Sequence, residues 1–266
     1  MLFGISTFTF PWAVSSKDSN NLSAINLLNF AGNNNIGVVQ FGDNYPLHQL
    51  SIAELQTIKS IAGNQGIMIE TGTRGLTIEN TERYIAIALF FGSPFLRMVI
   101  DEAGYEPGKN EVISIITQLL PSLKKNNIIL ALENHDRFSA STLKDIINAT
   151  DKDYVGICLD TANSLGAGEG VNEVLQILMP YTVNLHIKDI IIKRVDYKMG
   201  FTVEGVAAGD GVIDIPKIIQ QLESTGRCKS ATLEIWLKPE AMVEDSIKKE
   251  KKLVEKSIFY LKKHLS

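Results

Sequence analysis

Four short apolar runs in this chain each lead straight into a side chain able to bind a cation or move a proton. Ile128-Ile-Leu-Ala-Leu132 leads into Glu133-Asn-His135, and Val155-Gly-Ile-Cys-Leu159 into Asp160-Thr-Ala-Asn163. Val183-Asn-Leu185 leads into His186-Ile-Lys-Asp189, and Ala231-Thr-Leu233 into Glu234-Ile-Trp236. The steps from Glu133 to Asp160, His186 and Glu234 are 27, 26 and 48 residues, which suits one helix-plus-strand unit per step with an insertion before the last. Alternate residues of a strand face the same way, so side chains at the carboxyl ends of parallel strands converge on one rim, where ligands bind in α/β folds. Three carboxylates and one imidazole suit a single divalent ion tolerant of oxygen donors, Mn²⁺ or Mg²⁺ first and Co²⁺ or Zn²⁺ next. Positions left vacant on that ion would accept two substrate oxygens.

The elements that must position these residues follow from periodicity. Strands are expected over 2–6, 36–41, 66–70, 95–100, 128–133, 155–159, 183–185 and 231–233. Helices are expected over 20–33, 51–64, 81–91, 110–125, 141–149, 171–179, 215–224 and 246–265. The first carries Leu22, Ile25, Leu28 and Ala31 at helical spacing, and the second opens with the capping-box pattern Ser51-Ile-Ala-Glu54. Pro121 predicts a kink or early end in the fourth, and 190–211 reads as a long irregular stretch. Eight strands alternating with about eight helices predict a single (β/α)8 TIM barrel over 1–266, a usual length for that fold as one domain.

Composition narrows the function classes. A net charge of −4 gives no counterion-release drive toward nucleic acid, and no apolar run is long enough for a membrane span. The first residues read as a strand rather than a leader, so a cytoplasmic location is expected. Cys158 and Cys228 are too few for a disulfide framework and read as reduced thiols. Gly72-Thr-Arg-Gly75 and Gly166 to Gly170 match neither a dinucleotide fingerprint nor a P-loop.

Glu133-Asn-His135, Asp160-Thr-Ala-Asn163, His186-Ile-Lys-Asp189, Gly209-Asp-Gly-Val-Ile-Asp214 and Leu233-Glu-Ile235 resemble the xylose isomerase-like barrel superfamily of sugar isomerases and epimerases. It includes D-tagatose 3-epimerase, hydroxypyruvate isomerase, inosose dehydratase and endonuclease IV. The resemblance implies that Glu133, Asp160, His186 and Glu234 hold the ion, while Glu133 and Glu234 also act as base and acid across a metal-bound ene-diolate. Return of the proton to the same carbon gives epimerisation, and to its neighbour isomerisation. Asn163 stands where the ketose 3-epimerases place a histidine, which tells against a simple 3-epimerase, and the His186-Ile-Lys form looks like the inosose dehydratase and hydroxypyruvate isomerase branches.

Further candidates for contacting substrate are Lys188, Arg97, Glu70, Trp12, Asn163 and His135. For Lys188 the alternative is a rim salt bridge with Asp189 or another acid; for Arg97, inward on strand four with Val99, and Glu70, at the end of strand three, it is an ion pair between strands. Trp12 would wall a sugar ring or pack beneath its loop. His135 reaches the pocket or caps its loop. The first reading is a metal-dependent isomerase or epimerase of a small ketose or sugar derivative. The alternative is a lyase that dehydrates or decarboxylates an oxidised sugar or polyol; a cationic pocket built from Lys188 and Arg97 would favour it. A non-catalytic sugar-binding barrel and DNA repair in the manner of endonuclease IV rank lower, the latter for want of histidines. The expected partner is a small sugar or sugar acid, with neither nucleic acid nor membrane; the family also implies a homodimer or homotetramer.

Overall fold

The computed structural model describes residues 1–16, 21–197 and 199–265. Eight parallel strands close into a barrel: β1 (Leu2–Ser6), β2 (Val38–Phe41), β3 (Met68–Arg74), β4 (Phe95–Val99), β5 (Ile129–Glu133), β6 (Val155–Asp160), β7 (Thr182–Ile187) and, after an inserted hairpin, β10 (Ser230–Leu233). Each pairs with its sequence neighbour, and β10 closes the ring between β7 and β1. The connecting helices are α1 (Pro11–Ser15), α2 (Ala24–Asn33), α3 (Ile52–Asn64), α4 (Ile78–Phe91), α5 (Lys109–Asn126), α6 (Ala140–Asn148), α7 (Val171–Leu178), α8 (Ile215–Thr225) and α9 (Val243–Leu261). None of these helices is long and apolar enough to cross a membrane.

Most of the core lies between the barrel wall and this helical shell. Helix α5 buries Val112, Ile115, Ile116, Leu119 and Leu123 along one stripe, as its sequence spacing requires. It also runs on through Pro121 to Asn126, so the expected early end does not occur; Pro121 lies on the exposed face. The capping box forms at α3, with the Ser51 hydroxyl accepting from Glu54 N and Ser51 N donating to the Glu54 carboxylate at 2.7 Å. The helix expected to begin at Asn20 begins at Ala24; Asn20 itself lies outside the described residues. Its stripe is Ala24, Leu27, Leu28 and Ala31, and Ile25 is turned outward.

Two departures from the sequence reading matter for the site. Strand β3 does not stop at Glu70 but continues to Arg74, because Thr71 and Thr73 end the apolar run without ending the pairing with β4. Glu70 is therefore a mid-strand residue. The stretch expected to be irregular contains an antiparallel hairpin, β8 (Asp189–Arg194) with β9 (Phe201–Val206). Asp189 anchors the segment after the hairpin: its carboxylate accepts from the N–H groups of Gly209 and Gly211, both at 2.9 Å, and of Ile213 at 3.2 Å. A Cβ on Gly211 would lie 2.0 Å from Asp189 Oδ1, which explains the glycine.

Candidate active site

Register and parity bring the four strand-end residues to one place at the carboxyl rim. Asp160 and His186 are direct partners across β6 and β7. Glu133 ends β5, and Glu234 follows β10 with its N–H donating to Ile187 O at 3.0 Å. All four side chains are buried. His186 Nδ1 lies 3.4 Å from Glu133 Oε2 and 3.3 Å from Glu234 Oε1. Asp160, His186 and Glu234 each bring a ligand atom within 4.8 Å of the others, and Glu133, Cys158 and His186 form a second such group.

Basic side chains cross this acidic cluster. Arg97 Nε donates to Glu133 Oε2, and its Nη1 donates to Asp43 at 2.6 Å. Gly72, paired opposite Arg97, makes room for it, since a Cβ there would come within 2.9 Å of Arg97 Cδ. Lys188 Nζ lies 2.6 Å from Asp160 Oδ2, 3.1 Å from Glu234 Oε2 and 3.1 Å from Asn163 Oδ1. The salt bridge expected as the alternative is therefore made, with Asp160 and Glu234 rather than with Asp189. Asn163 Nδ2 in turn donates to Glu133 Oε1 at 2.9 Å, and Asp160 Oδ1 accepts from the N–H groups of Ala162 and Asn163.

These contacts set the charge states. Burial by itself would push Glu133 up, but Arg97, His186 and Lys188 outweigh it and hold the carboxyl below its ordinary range. Glu234 is held down in the same way, by His186, Lys188 and Arg97 against burial. Burial opposes the charge on Lys188 too, yet Asp160, Glu234 and Glu133 keep its ammonium well above the usual lysine range. The Cys158 thiol, pushed up mainly by burial, is no ligand in the thiolate form without a strong charge to stabilise it.

Above the cluster a cavity of ≈ 160 Å³ is lined by Asp43, Arg74, Arg97, Glu133, His135, Asn163, Lys188 and Glu234, with the ring of Phe8. It shares five of these residues with an outer cleft of ≈ 440 Å³ walled by Trp12, Trp236 and Leu237. Trp12 thus faces the cleft, its indole N–H donating to Leu237 O at 3.2 Å and its backbone N–H to Glu250 at 2.7 Å. His135 sits on the rim of both, paired with Asp136 at 2.6 Å. The larger ≈ 750 Å³ groove between α7 and α8 on the outer wall contains none of these residues.

Glu70 is the one candidate that the structure moves away from the cavity. Fully buried, it is bonded to Ser230 Oγ and Gln40 Nε2, one layer below the rim, because β3 extends four residues beyond it. Two residues that the sequence did not single out belong to the site's support. Gln40, on β2, places Oε1 2.6 Å from His186 Nε2, and Asp43, in the following loop, pairs with Arg97 and Arg74. Gln40 stands in Val38-Val-Gln-Phe41, where an amide inside an apolar strand was the only signal.

The side chains present fit a divalent ion. His186 Nδ1 is buried and makes no hydrogen bond, while Nε2 is engaged by Gln40, so Nδ1 is the nitrogen placed to ligate an ion. Three carboxylates around that nitrogen make a hard-donor set with an imidazole added.

The sequence model of the family described as xylose isomerase-like TIM barrel matches residues 53–264. The chain belongs to that family. A curated protein of Pectobacterium atrosepticum named 3-oxo-isoapionate decarboxylase is 31% identical over 261 residues, covering 98% of this chain and 95% of that one. Among solved structures, a xylose isomerase-like TIM barrel protein from Mycobacterium smegmatis in complex with magnesium is 14% identical, with a TM-score of 0.71 over 98% of this chain and 97% of that chain. D-psicose 3-epimerase with D-tagatose from Clostridium cellulolyticum H10 is also 14% identical, with a TM-score of 0.72 over 99% and 98%. At that identity the two solved structures show a shared barrel fold.

Proposed function

We propose that the protein is a divalent-metal-dependent decarboxylase of a 3-oxo sugar acid. The observation that carries this reading is the charge around the cavity. Four carboxylates, Asp43, Glu133, Asp160 and Glu234, are interleaved with three fixed cations, Arg74, Arg97 and Lys188. A dication added to that set leaves one positive charge in excess, which suits a singly charged sugar acid better than a neutral ketose. The full-length similarity to a 3-oxo-isoapionate decarboxylase supports the same choice.

Glu133, Asp160, His186 and Glu234 would hold the ion, which when bound supplies Lewis-acid stabilisation of negative charge on a carbonyl oxygen. The chain's own residues do the rest. Lys188 and Arg97 face the cavity with N–H donors for the substrate carboxylate, and Trp12 and Trp236 give the cleft an apolar wall that limits water. In a 3-oxo acid the carbonyl lies β to the carboxylate, so cleavage of the bond to CO₂ sends its electron pair toward that carbonyl oxygen. The carbon that lost CO₂ must then take up a proton, and the Lys188–Glu234 pair at the cavity holds one there.

The isomerase or epimerase reading keeps one specific support: Glu133 and Glu234 reach His186 Nδ1 through separate carboxylates, a paired arrangement able to take and return a proton. Proton NMR in D₂O with 3-oxo-isoapionate and a panel of neutral ketoses, using Mn²⁺-loaded protein, separates the two. The expected result is CO₂ release with one solvent deuteron at the carbon that carried the carboxylate. It should be abolished by chelator, restored by Mn²⁺, and absent in the Glu133→Gln, Glu234→Gln double variant. A product that retains every carbon and carries deuterium next to its carbonyl would replace the decarboxylase with the isomerase or epimerase.

A further inference from the structure

Beneath the rim lies a buried polar network that the proposed reaction does not use. Gln40, Glu70, Asn184 and Ser230 occupy the interior of β2, β3, β7 and β10, all of them essentially inaccessible. Gln40 and Glu70 are register partners across β2 and β3. Asn184 lies two residues before His186 on β7 and faces the same interior.

The bonds of this network have a direction. Glu70 accepts from Ser230 Oγ at one carboxylate oxygen, and from Gln40 Nε2 at 3.0 Å and Asn184 Nδ2 at 3.5 Å at the other. Gln40 Nε2 also lies 3.2 Å from Asn184 Oδ1. Two acceptors therefore fix the amino end of the Gln40 amide downward. Its carbonyl end must then point up, where Oε1 meets His186 Nε2 at 2.6 Å. An acceptor at that distance requires the ring to carry its hydrogen on Nε2. Nδ1, which lies between Glu133 and Glu234 and makes no hydrogen bond, is then the nitrogen whose lone pair is available to an ion held among those carboxylates.

We propose that Gln40, aimed by Glu70 and Asn184, is a positioning residue that sets the tautomer and orientation of His186 and thereby the divalent-ion affinity of the site. This rests on the metal-site reading of the cluster. A ring free to place its hydrogen on Nδ1 would turn a donor toward the ion's position and lose its lone pair there. Outer partners of ligating histidines typically contribute about 10- to 100-fold in metal affinity.

The test has two readouts. In long-range ¹H–¹⁵N spectra of the metal-free wild type at pH 8, with the His186 signals identified by their loss in His186→Gln, the ring should carry a hydrogen on Nε2. In calorimetric titration with Mn²⁺, Gln40→Met should weaken binding by about 10- to 100-fold. The exchanged pair Gln40→Glu, Glu70→Gln restores an acceptor for His186 and a donor beneath it, and should recover most of that loss; simple loss of packing would not be rescued by swapping polarity. A ring with no hydrogen on Nε2 in the wild type, or wild-type Mn²⁺ affinity in Gln40→Met, overturns the proposal. A wild-type protein that takes up no Mn²⁺ overturns the metal-site reading and the affinity half of the proposal with it, while the metal-free spectrum still decides the tautomer.

Discussion

Lys188 touches Asp160, Glu234 and Asn163 at once and still lines the cavity, so its removal should act in opposite directions on metal and substrate. In Lys188→Met the carboxylates lose a competing cation, and Mn²⁺ should bind at least as tightly as in the wild type. The substrate carboxylate loses a charge-assisted partner, so kcat/KM for CO₂ release should fall roughly 10- to 100-fold, the worth of one hydrogen bond to a charged group. Lys188→Arg should not restore it, because a planar guanidinium cannot replace a compact ammonium between Asp160 and Glu234. Steady-state kinetics beside Mn²⁺ titration checks both; a parallel loss of metal binding and turnover would make Lys188 structural. At this scale the sequence revealed charged side chains, at strand ends and, for Arg97, inside a strand, and hid the uncharged amide of Gln40. Glu133, Asp160, His186 and Glu234 each follow an apolar run, whereas Gln40 is embedded in one, and Glu70 was placed at the rim only because Thr71 broke the run before the strand ended.

Elements were legible where their faces differ and obscure where tertiary contacts alone hold them. The barrel strands and their helices follow from apolar periodicity, but the β8–β9 hairpin exposes Ile192, Phe201 and Val203 and has no buried stripe to announce it. Its position is fixed by Asp189, the last residue of His186-Ile-Lys-Asp189, which gathers the Gly209-Asp-Gly-Val-Ile-Asp214 segment by three backbone N–H bonds. The two sequence motifs are thus one structural unit. Gly205 packs against the Trp236 carbonyl, so that unit also braces one wall of the cleft. Asp189→Ala leaves the buried Ile213 N–H and the part-buried N–H groups of Gly209 and Gly211 without their acceptor and should cost about 3 kcal/mol, a fall of roughly 6–12 °C in Tm. Differential scanning fluorimetry would check it. An unchanged Tm would mean that the segment repacks without its anchor.

Across the whole molecule, the balance of buried carboxyls predicts where on the pH scale the fold is strongest. Glu70 is pushed up to about 7 by burial against bonds from Ser230 and Gln40, and Glu250 to about 7 by burial against the N–H groups of Trp12 and Ala13. A carboxyl raised in the folded state binds its proton more tightly there than in the unfolded chain. Its contribution is therefore full below about pH 4.5 and is lost as pH rises through about 7, by up to about 3 kcal/mol for each group. Asp43, Glu133 and Glu234 are shifted the other way by Arg97, Lys188 and His186, and their contribution is lost as pH falls below the ordinary carboxylate range. The metal-free protein should accordingly be most stable near pH 5 and lose Tm steadily toward pH 8, although its net charge of −4 is modest. Glu250→Gln keeps an oxygen for one of the α1 N–H groups but has no proton to lose, so its Tm should fall less over the same range. Thermal scans from pH 4.5 to 8 in chelator compare the two directly, and parallel curves would remove Glu250 as a source of the slope. Mn²⁺ should flatten the wild-type curve from the alkaline side, because an ion held by deprotonated carboxylates stabilises the folded state most where its ligands carry no protons.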